Sequence, residues 1–197
     1  MAKVIEYQEF DDIKGLFYFG NIGKDLTKMI KKLDNLNWKP ITNNPNSRLV
    51  QHYGYIYDYN NYDIAQKGKD MPDFIDKLRK KLTLICKKLN LIDNDYIFNQ
   101  CIVNNYEAGQ SISKHIDVKS YGAVIGCFTI GSGATMKFSK NDEYHDLYVA
   151  PNSLYIMSSD ARYVFKHEMT GTKYDNYNGQ KIERGRRISI TFRMVNN

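Results

Sequence analysis

Apolar residues recur along this chain with two different periods. Leu26, Met29, Ile30 and Leu33 follow the i, i+3, i+4, i+7 spacing of one helix face, and Phe74, Leu78, Leu82, Ile85 and Leu89 repeat it after Pro72, which suits a helix first turn. Lys77, Lys80, Lys81, Lys87 and Lys88 occupy the other side of that second helix, as a solvated outer face or a stripe for phosphates. Between the helices Tyr53, Tyr55, Tyr57 and Tyr59 alternate as in a strand, and beyond residue 95 the period is two almost throughout. Strands are expected over Tyr96 to Tyr106, Ile116 to Asp117, Ala123 to Ile130, Thr135 to Phe138, Tyr144 to Val149, Ser153 to Ser158, Tyr163 to Met169 and Ile188 to Val195, separated by Gly, Asn and Asp turns. Helices ahead of about eight short strands predict an α+β fold, a jelly-roll core with the N-terminal helices packed on one sheet.

The 197 residues, 42% hydrophobic and 25% charged, suit one globular domain, with residues 1–95 forming the helical part and 96–197 the strand-rich core. Residues 1–10 are charged and lack an apolar h-region, and the longest apolar stretch, 123–130, is too short to cross a bilayer, so a soluble protein without a membrane partner is expected. Cys86, Cys101 and Cys127, an odd number without a CxxC spacing, argue for a reducing, intracellular compartment and against a cysteine zinc site. A formal charge of +6 favours a polyanionic partner such as nucleic acid, but with 20 Ile, 21 Lys, 19 Asn and 16 Tyr the lysines also fit AT-rich codon usage. Arginine is scarce. Five of the seven (Arg162, Arg184, Arg186, Arg187, Arg193) fall in the last 36 positions.

In a strand, His115 and Asp117 leave the same face, so two metal-binding groups are aimed at one point. The third must come from His52, His145 or His167. His167 lies in a strand pattern 50 residues after Asp117, suited to a return strand, whereas His145 lies in the polar stretch 141–145, read as a turn. Two histidines and a carboxylate describe the facial triad of non-haem Fe(II) oxygenases, although zinc with a water ligand tolerates the same set and leaves a hydrolase open. The last strand bears on the choice. Ile188, Ile190 and Phe192 alternate with Arg187, Ser189, Thr191 and Arg193. Its polar face is either the wet side of an edge strand or the lining of a barrel. In a barrel the guanidinium groups need anions, which a dicarboxylate cosubstrate and Asp117 would supply. Asn104 and Tyr106, also two apart, add an amide and a phenol.

At these residues the chain resembles the AlkB family of 2-oxoglutarate- and Fe(II)-dependent dioxygenases. The resemblance rests on Asn104-x-Tyr106 followed by His115-x-Asp117, on the segment 160–167 ending in His167, on the Arg187 to Arg193 strand, and on the stretch Arg48 to Tyr55, and it spans roughly residues 48 to 195. It implies that His115, Asp117 and His167 hold Fe(II). It further implies that Arg187, assisted by Tyr106, pairs with the distal carboxylate of 2-oxoglutarate, with Asn104 and Arg193 nearer its chelating end, and that Ser189 belongs to the same cosubstrate site. Ser189 stands where some members carry asparagine. Dioxygen is the second cosubstrate, and oxidation of an N-methyl group would release formaldehyde, along with succinate and carbon dioxide from the cosubstrate.

Such enzymes act mostly on DNA or RNA, often on a flipped base, and Tyr53 to Tyr59 offer either stacking surfaces or structural packing. Lys119 stands where the DNA-repair branch carries an acid two positions after the ligand Asp. The stretches around Val50 to Tyr55 and Arg162 to His167 resemble the tRNA wobble-uridine hydroxylase branch. In animals that branch carries an RNA-binding module and a methyltransferase, for which 197 residues leave no room, so a partner protein or a different substrate is expected to compensate. The alternative class is a protein-directed or non-catalytic AlkB-like binding module. A monomer is expected in either case. Arg162 is expected to mark the strand of His167, which leaves Arg184 and Arg186 for a basic surface.

Overall fold

The computed structural model describes residues 6–196 apart from 24 and 45, so part of the N-terminal stretch read for a signal, residues 1–5, lies outside the described residues. In chain order the elements are β1 (Gln8–Glu9), β2 (Leu16–Phe19), α1 (Lys28–Asp34), β3 (Lys39–Pro40), β4 (Leu49–Tyr53), β5 (Tyr55–Asp58), β6 (Asp63–Lys67) and α2 (Asp73–Lys88). There follow β7 (Gln100–Tyr106), β8 (Ile112–His115), β9 (Ile125–Gly131), β10 (Ala134–Lys140), β11 (Glu143–Val149) and β12 (Ser153–Met157). The chain closes with α3 (Ser159–Tyr163), β13 (Lys166–Met169), β14 (Tyr174–Tyr177), β15 (Gln180–Glu183) and β16 (Arg187–Arg193). An eight-stranded sheet, ordered β1-β2-β12-β9-β16-β7-β4-β3, faces a four-stranded sheet, β11-β10-β13-β8, with β5-β6 and β14-β15 as separate hairpins. This is the double-stranded β-helix expected from the strand pattern.

Period-two alternation sorts the side chains into two cores. Phe128, Ile130, Ile188, Ile190 and Phe192 leave the large sheet on the side of α1 and α2, where they meet Leu33, Leu78, Leu82 and Ile85. Ile125, Cys127 and Tyr155 leave it on the other side and pack against Met136, Phe138, Leu147 and Met169 of the small sheet. α2 starts after Pro72, which caps it from an extended conformation instead of standing in its first turn. Asp73 and Asp76 near its start and Lys87 and Lys88 near its end match the helix dipole. Its buried stripe runs through Ile75, Leu78, Leu82, Ile85 and Cys86. The helix lies so close to the sheet that a side chain at Gly126 would overlap Leu82. Three of its five lysines are spent locally: Lys80 pairs with Asp76 at 2.8 Å, Lys81 donates to the Ile22 carbonyl and Lys87 to Asn94. No helix among the described residues is long and apolar enough to cross a membrane, and all three cysteines are free and buried.

Several expected elements differ, and the strand expected over Tyr96 to Tyr106 starts only at Gln100. The strand expected over Tyr163 to Met169 begins only at Lys166, because Val164 and Phe165 both donate to the Asp160 carbonyl and close the helical turn α3. The expected strand Ile116 to Asp117 is Ile112–His115 instead, leaving Asp117 in the following loop. His145 stands inside β11, paired with Phe138, since the β10–β11 turn is only Asn141 and Asp142, with Asn141 in the left-handed region that such tight turns require. The tyrosine run is broken at Gly54 (φ 75), where a Cβ would strike the Asn99 carbonyl, so Tyr53 ends a core strand while Tyr55 starts a separate hairpin. Moreover, β1 to β4 add four strands of the first half to the large sheet, so the change of texture near residue 95 is not an architectural boundary.

Candidate metal centre and its two cavities

Strand pairing brings the three candidate ligands together. His115, the last residue of β8, is in register with His167 of β13, and their rings lie 4.3 Å apart. Asp117 turns back from the loop, and one ligand atom from each of the three lies within 4.8 Å of the others. The His115 Nδ1 lies 2.8 Å from the Ser113 carbonyl. A carbonyl only accepts, so Nδ1 carries the proton and Nε2 keeps its lone pair. Burial, reinforced by His115, pushes the His167 pKa down to about 3, so that ring is neutral near pH 7. Burial alone would raise the Asp117 carboxyl, but Arg193, with Nε 2.8 Å from Oδ1, and then the two histidines hold it well below the usual carboxylate range. The other oxygen, Oδ2, is buried 3.4 Å from the His167 Nε2 and has no hydrogen-bond partner. A carboxylate and two neutral imidazole rings converging on one point form a donor set for a cation.

Two cavities meet at this point. The outer one, about 430 Å³, opens over His115 and Asp117 and is walled by Arg48, Tyr57, Tyr59 and Tyr121. The inner one runs between the sheets, and Asn104, Tyr106, His115, Asp117, His167, Arg187, Ser189 and Arg193, the eight residues singled out in the sequence, all line it. β16 is a central strand between β9 and β7, so the polar face of Arg187 to Arg193 is buried, which excludes the wet edge strand. Arg187, only 2% exposed, sits deep in this cavity. It reaches the Thr129 hydroxyl at 3.1 Å and the Met169 sulfur at 3.9 Å, its Nε has no partner, and no carboxylate among the described residues pairs with it. The Tyr106 ring lies 5.7 Å from the guanidinium. Opposite Ser189, Asn104 accepts from Arg48 at 3.0 Å and reaches the Ser189 hydroxyl at 3.4 Å. A buried guanidinium without an acid is costly unless an anion joins it.

A triad fit for a divalent metal and an unpaired buried cation in one cavity agree with the match of residues 30–193 to the model of the 2OG-Fe(II) oxygenase superfamily. The chain belongs to that superfamily and is of AlkB type. The oxygenase is 37% identical over 174 residues to uncharacterized protein L905 of Acanthamoeba polyphaga mimivirus, covering 85% of this chain and 78% of that one. It is 29% identical to the Xenopus tropicalis tRNA (carboxymethyluridine(34)-5-O)-methyltransferase alkbh8, covering 83% of this chain. An Arabidopsis thaliana alkylated DNA repair protein ALKBH8 homolog is 30% identical over 76% of this chain. The chain spans only 29% of the frog protein and 50% of the plant protein. The solved structure of OsALKBH1 superposes with a TM-score of 0.72 over 96% of this chain and 100% of that one, at 15% identity, which speaks for the fold. The enzyme's cofactor is Fe(II) and its cosubstrates are 2-oxoglutarate and dioxygen.

Several supports of the oxygenase site escape a sequence reading. Arg162, read as a marker of the His167 strand, belongs to α3 and donates to the carbonyls of Asp117, Val118, Tyr121 and Gly122, clasping the loop that carries Asp117. Arg184 and Arg186 form no free basic surface. Arg184 is buried in a bidentate pair with Asp175, and Arg186 grips Asp34 with two bonds of 2.6 and 3.0 Å. His52 is no ligand but ties the tyrosines, its Nδ1 accepting from the Tyr57 N–H at 3.0 Å and its Nε2 lying 3.2 Å from the Tyr59 hydroxyl.

Burial, then the charge of Arg193, pushes the His52 pKa down to about 4. The unfolded chain therefore binds this proton near pH 6.5 and the folded one only near 4, so stability present above pH 6.5 is lost as the pH falls through that window. Urea titrations between pH 7 and 4 should show this loss, at most about 1.4 kcal/mol per pH unit for one group. His52→Gln should flatten the slope, and an unchanged slope would refute the assignment.

Proposed function

We propose that His115, Asp117 and His167 hold Fe(II) at the junction of the two cavities, that 2-oxoglutarate fills the inner cavity, and that a modified base of DNA or RNA enters the outer one. The unpaired Arg187 carries this reading: a buried cation beyond the triad calls for a dianion that spans from it to the metal. In this assignment Arg187 and Tyr106 take the distal carboxylate, and Asn104, Ser189 and Arg193 surround the chelating end. Arg193 also keeps Asp117 ionised, and Arg162 holds its loop in place. When bound, Fe(II) activates dioxygen and couples decarboxylation of 2-oxoglutarate to oxidation of a substrate carbon. The side chains supply the rest. Tyr57, Tyr59 and Tyr121 give the substrate an aromatic wall and keep it out of bulk water. An outer cavity of about 430 Å³ is within the usual range of roughly 300–1,000 Å³ for small-ligand sites.

The similarity to a tRNA (carboxymethyluridine(34)-5-O)-methyltransferase and to an alkylated DNA repair protein homolog supports a nucleic-acid substrate. A modified tRNA uridine is the second reading, favoured by exposed Lys119 at the position where an acid would accept from a base amine. Succinate release, measured with methylated single-stranded DNA, duplex DNA, RNA, bulk tRNA and protein extract, tests the proposal. Stimulation by a nucleic acid is the expected result, and stimulation by protein extract alone would overturn it. Arg187→Met should raise the 2-oxoglutarate KM roughly ten- to a hundred-fold, the worth of a hydrogen-bonded charge of about 1.5–3 kcal/mol. An unchanged KM would remove Arg187 from the cosubstrate.

A further inference from the structure

Beside Arg187 a row of small polar residues crosses the large sheet. Asn104 of β7, Ser189 of β16, Thr129 of β9 and Ser153 of β12 stand in register, all of them buried. On β9 the residues that share a face with Thr129 are Ile125 and Cys127, which belong to the apolar core. Valine, with a methyl group in place of the hydroxyl, is the cheaper occupant of such a position, because a buried hydroxyl costs free energy unless it is bonded. The bond that offsets this cost comes from Arg187, which donates from Nη2 to the Thr129 hydroxyl at 3.1 Å. The neighbour of Nη1 is the Met169 sulfur at 3.9 Å, and Nε has no partner. Both groups that hold the guanidinium are therefore uncharged. Among the described residues that line the inner cavity the only acid is Asp117, and it is engaged by Arg193 at 2.8 Å.

Resting on the reading that 2-oxoglutarate lies beside Arg187, we propose that Thr129 is a positioning residue of the cosubstrate site. Its hydroxyl fixes the direction of the guanidinium and takes none of its charge, so the whole charge is left for the distal carboxylate. An acid in the same place would hold the guanidinium equally well but would neutralise it, and the site would lose its preference for a dianion. Valine would leave the charge and release the direction. Selection of a dicarboxylate over a monocarboxylate thus depends on Thr129 as well as on Arg187, although Thr129 acts only through the arginine.

Protein loaded with Mn(II) is titrated calorimetrically with 2-oxoglutarate and with 2-oxopentanoate, in which a methyl group replaces the distal carboxylate. The wild type should favour the dicarboxylate by roughly ten- to a hundred-fold. Thr129→Val should cut this preference about five-fold with 2-oxopentanoate binding unchanged, and Thr129→Ser should keep it. Thr129→Asp should erase it, while its thermal midpoint without cosubstrate stays at or above that of the wild type, because the buried cation has gained an acid. A threonine with a merely structural role would weaken both ligands together. That result, or a Thr129→Val protein with the full preference, or a Thr129→Asp protein that still favours the dicarboxylate, would overturn the assignment. If Thr129→Asp does not fold, the valine and serine variants decide. Arg187→Met separates this inference from the reading beneath it. If Arg187→Met keeps the wild-type preference, the cosubstrate does not lie beside Arg187 and both fall. If Arg187→Met loses the preference and Thr129→Val retains it, the cosubstrate reading stands and the role of Thr129 falls.

Discussion

Asp117→Ala is expected to abolish succinate formation and to destabilise the fold as well. The carboxylate joins two tasks, completing the triad with His115 and His167 and neutralising Arg193, which donates to it at 2.8 Å in a buried position. Without it Arg193 keeps only a long contact to Gln100 at 3.5 Å and the face of Tyr121. Stranding one member of a buried ion pair costs about 3–5 kcal/mol. His115→Ala separates the two tasks. Its ring is half-buried and bonds only within its own strand, so turnover should vanish while urea stability moves far less. Equal stability losses in the two variants would show that Arg193 does not depend on Asp117, and residual iron-dependent turnover in either would remove that residue from the metal.

Arg162→Met should come next in size. One guanidinium, 2% exposed, donates to four carbonyls: Asp117 at 2.9 Å, Val118 at 2.7 Å, Tyr121 at 3.1 Å and Gly122 at 3.2 Å. Removing it leaves buried acceptors bare, at about 1–3 kcal/mol for each that water does not reach, so a loss of at least about 3 kcal/mol is expected in urea unfolding. Because the same loop carries Asp117 and Tyr121, Mn(II) affinity should fall even in the folded fraction. Arg162→Lys should rescue little, since an ammonium presents its donors from one point and cannot span the planar fork. Full metal affinity in the lysine variant would show that the loop holds its shape without the fork.

The alternation of Arg187 to Arg193 with Ile188, Ile190 and Phe192 was legible, and so was the stripe of α2, because a period of two or 3.6 is a local property that each turn of chain repeats. Asn104 with Tyr106 and Arg187 with Ser189 and Arg193 could be grouped for the same reason. His115 and Asp117 were paired on a strand argument that does not hold, since β8 ends at His115 and the loop clasped by Arg162 returns Asp117 to the site. α3 was missed because its single turn is made by two bonds to the Asp160 carbonyl, too short to leave a helical period. Arg48, His52 and Tyr121 carried no periodic signal at all, for their places depend on contacts to other strands.

By itself, then, the sequence determined which side chains share a face, that five of seven arginines crowd into the last 36 positions, and which residue types were available for a metal and a dianion. Only the tertiary structure decided which of those arginines meet an acid. Arg186 finds Asp34 across 152 residues, Arg184 finds Asp175 and Arg193 finds Asp117, whereas Arg162 is satisfied by four carbonyls and Arg187 is left with neither. The physical reason is one of range. Alternation is set by the backbone of each strand alone, whereas the pairing of a charge depends on which distant strands fold against it, and the cost of an unpaired buried cation is the ground on which the cosubstrate is proposed to lie beside Arg187.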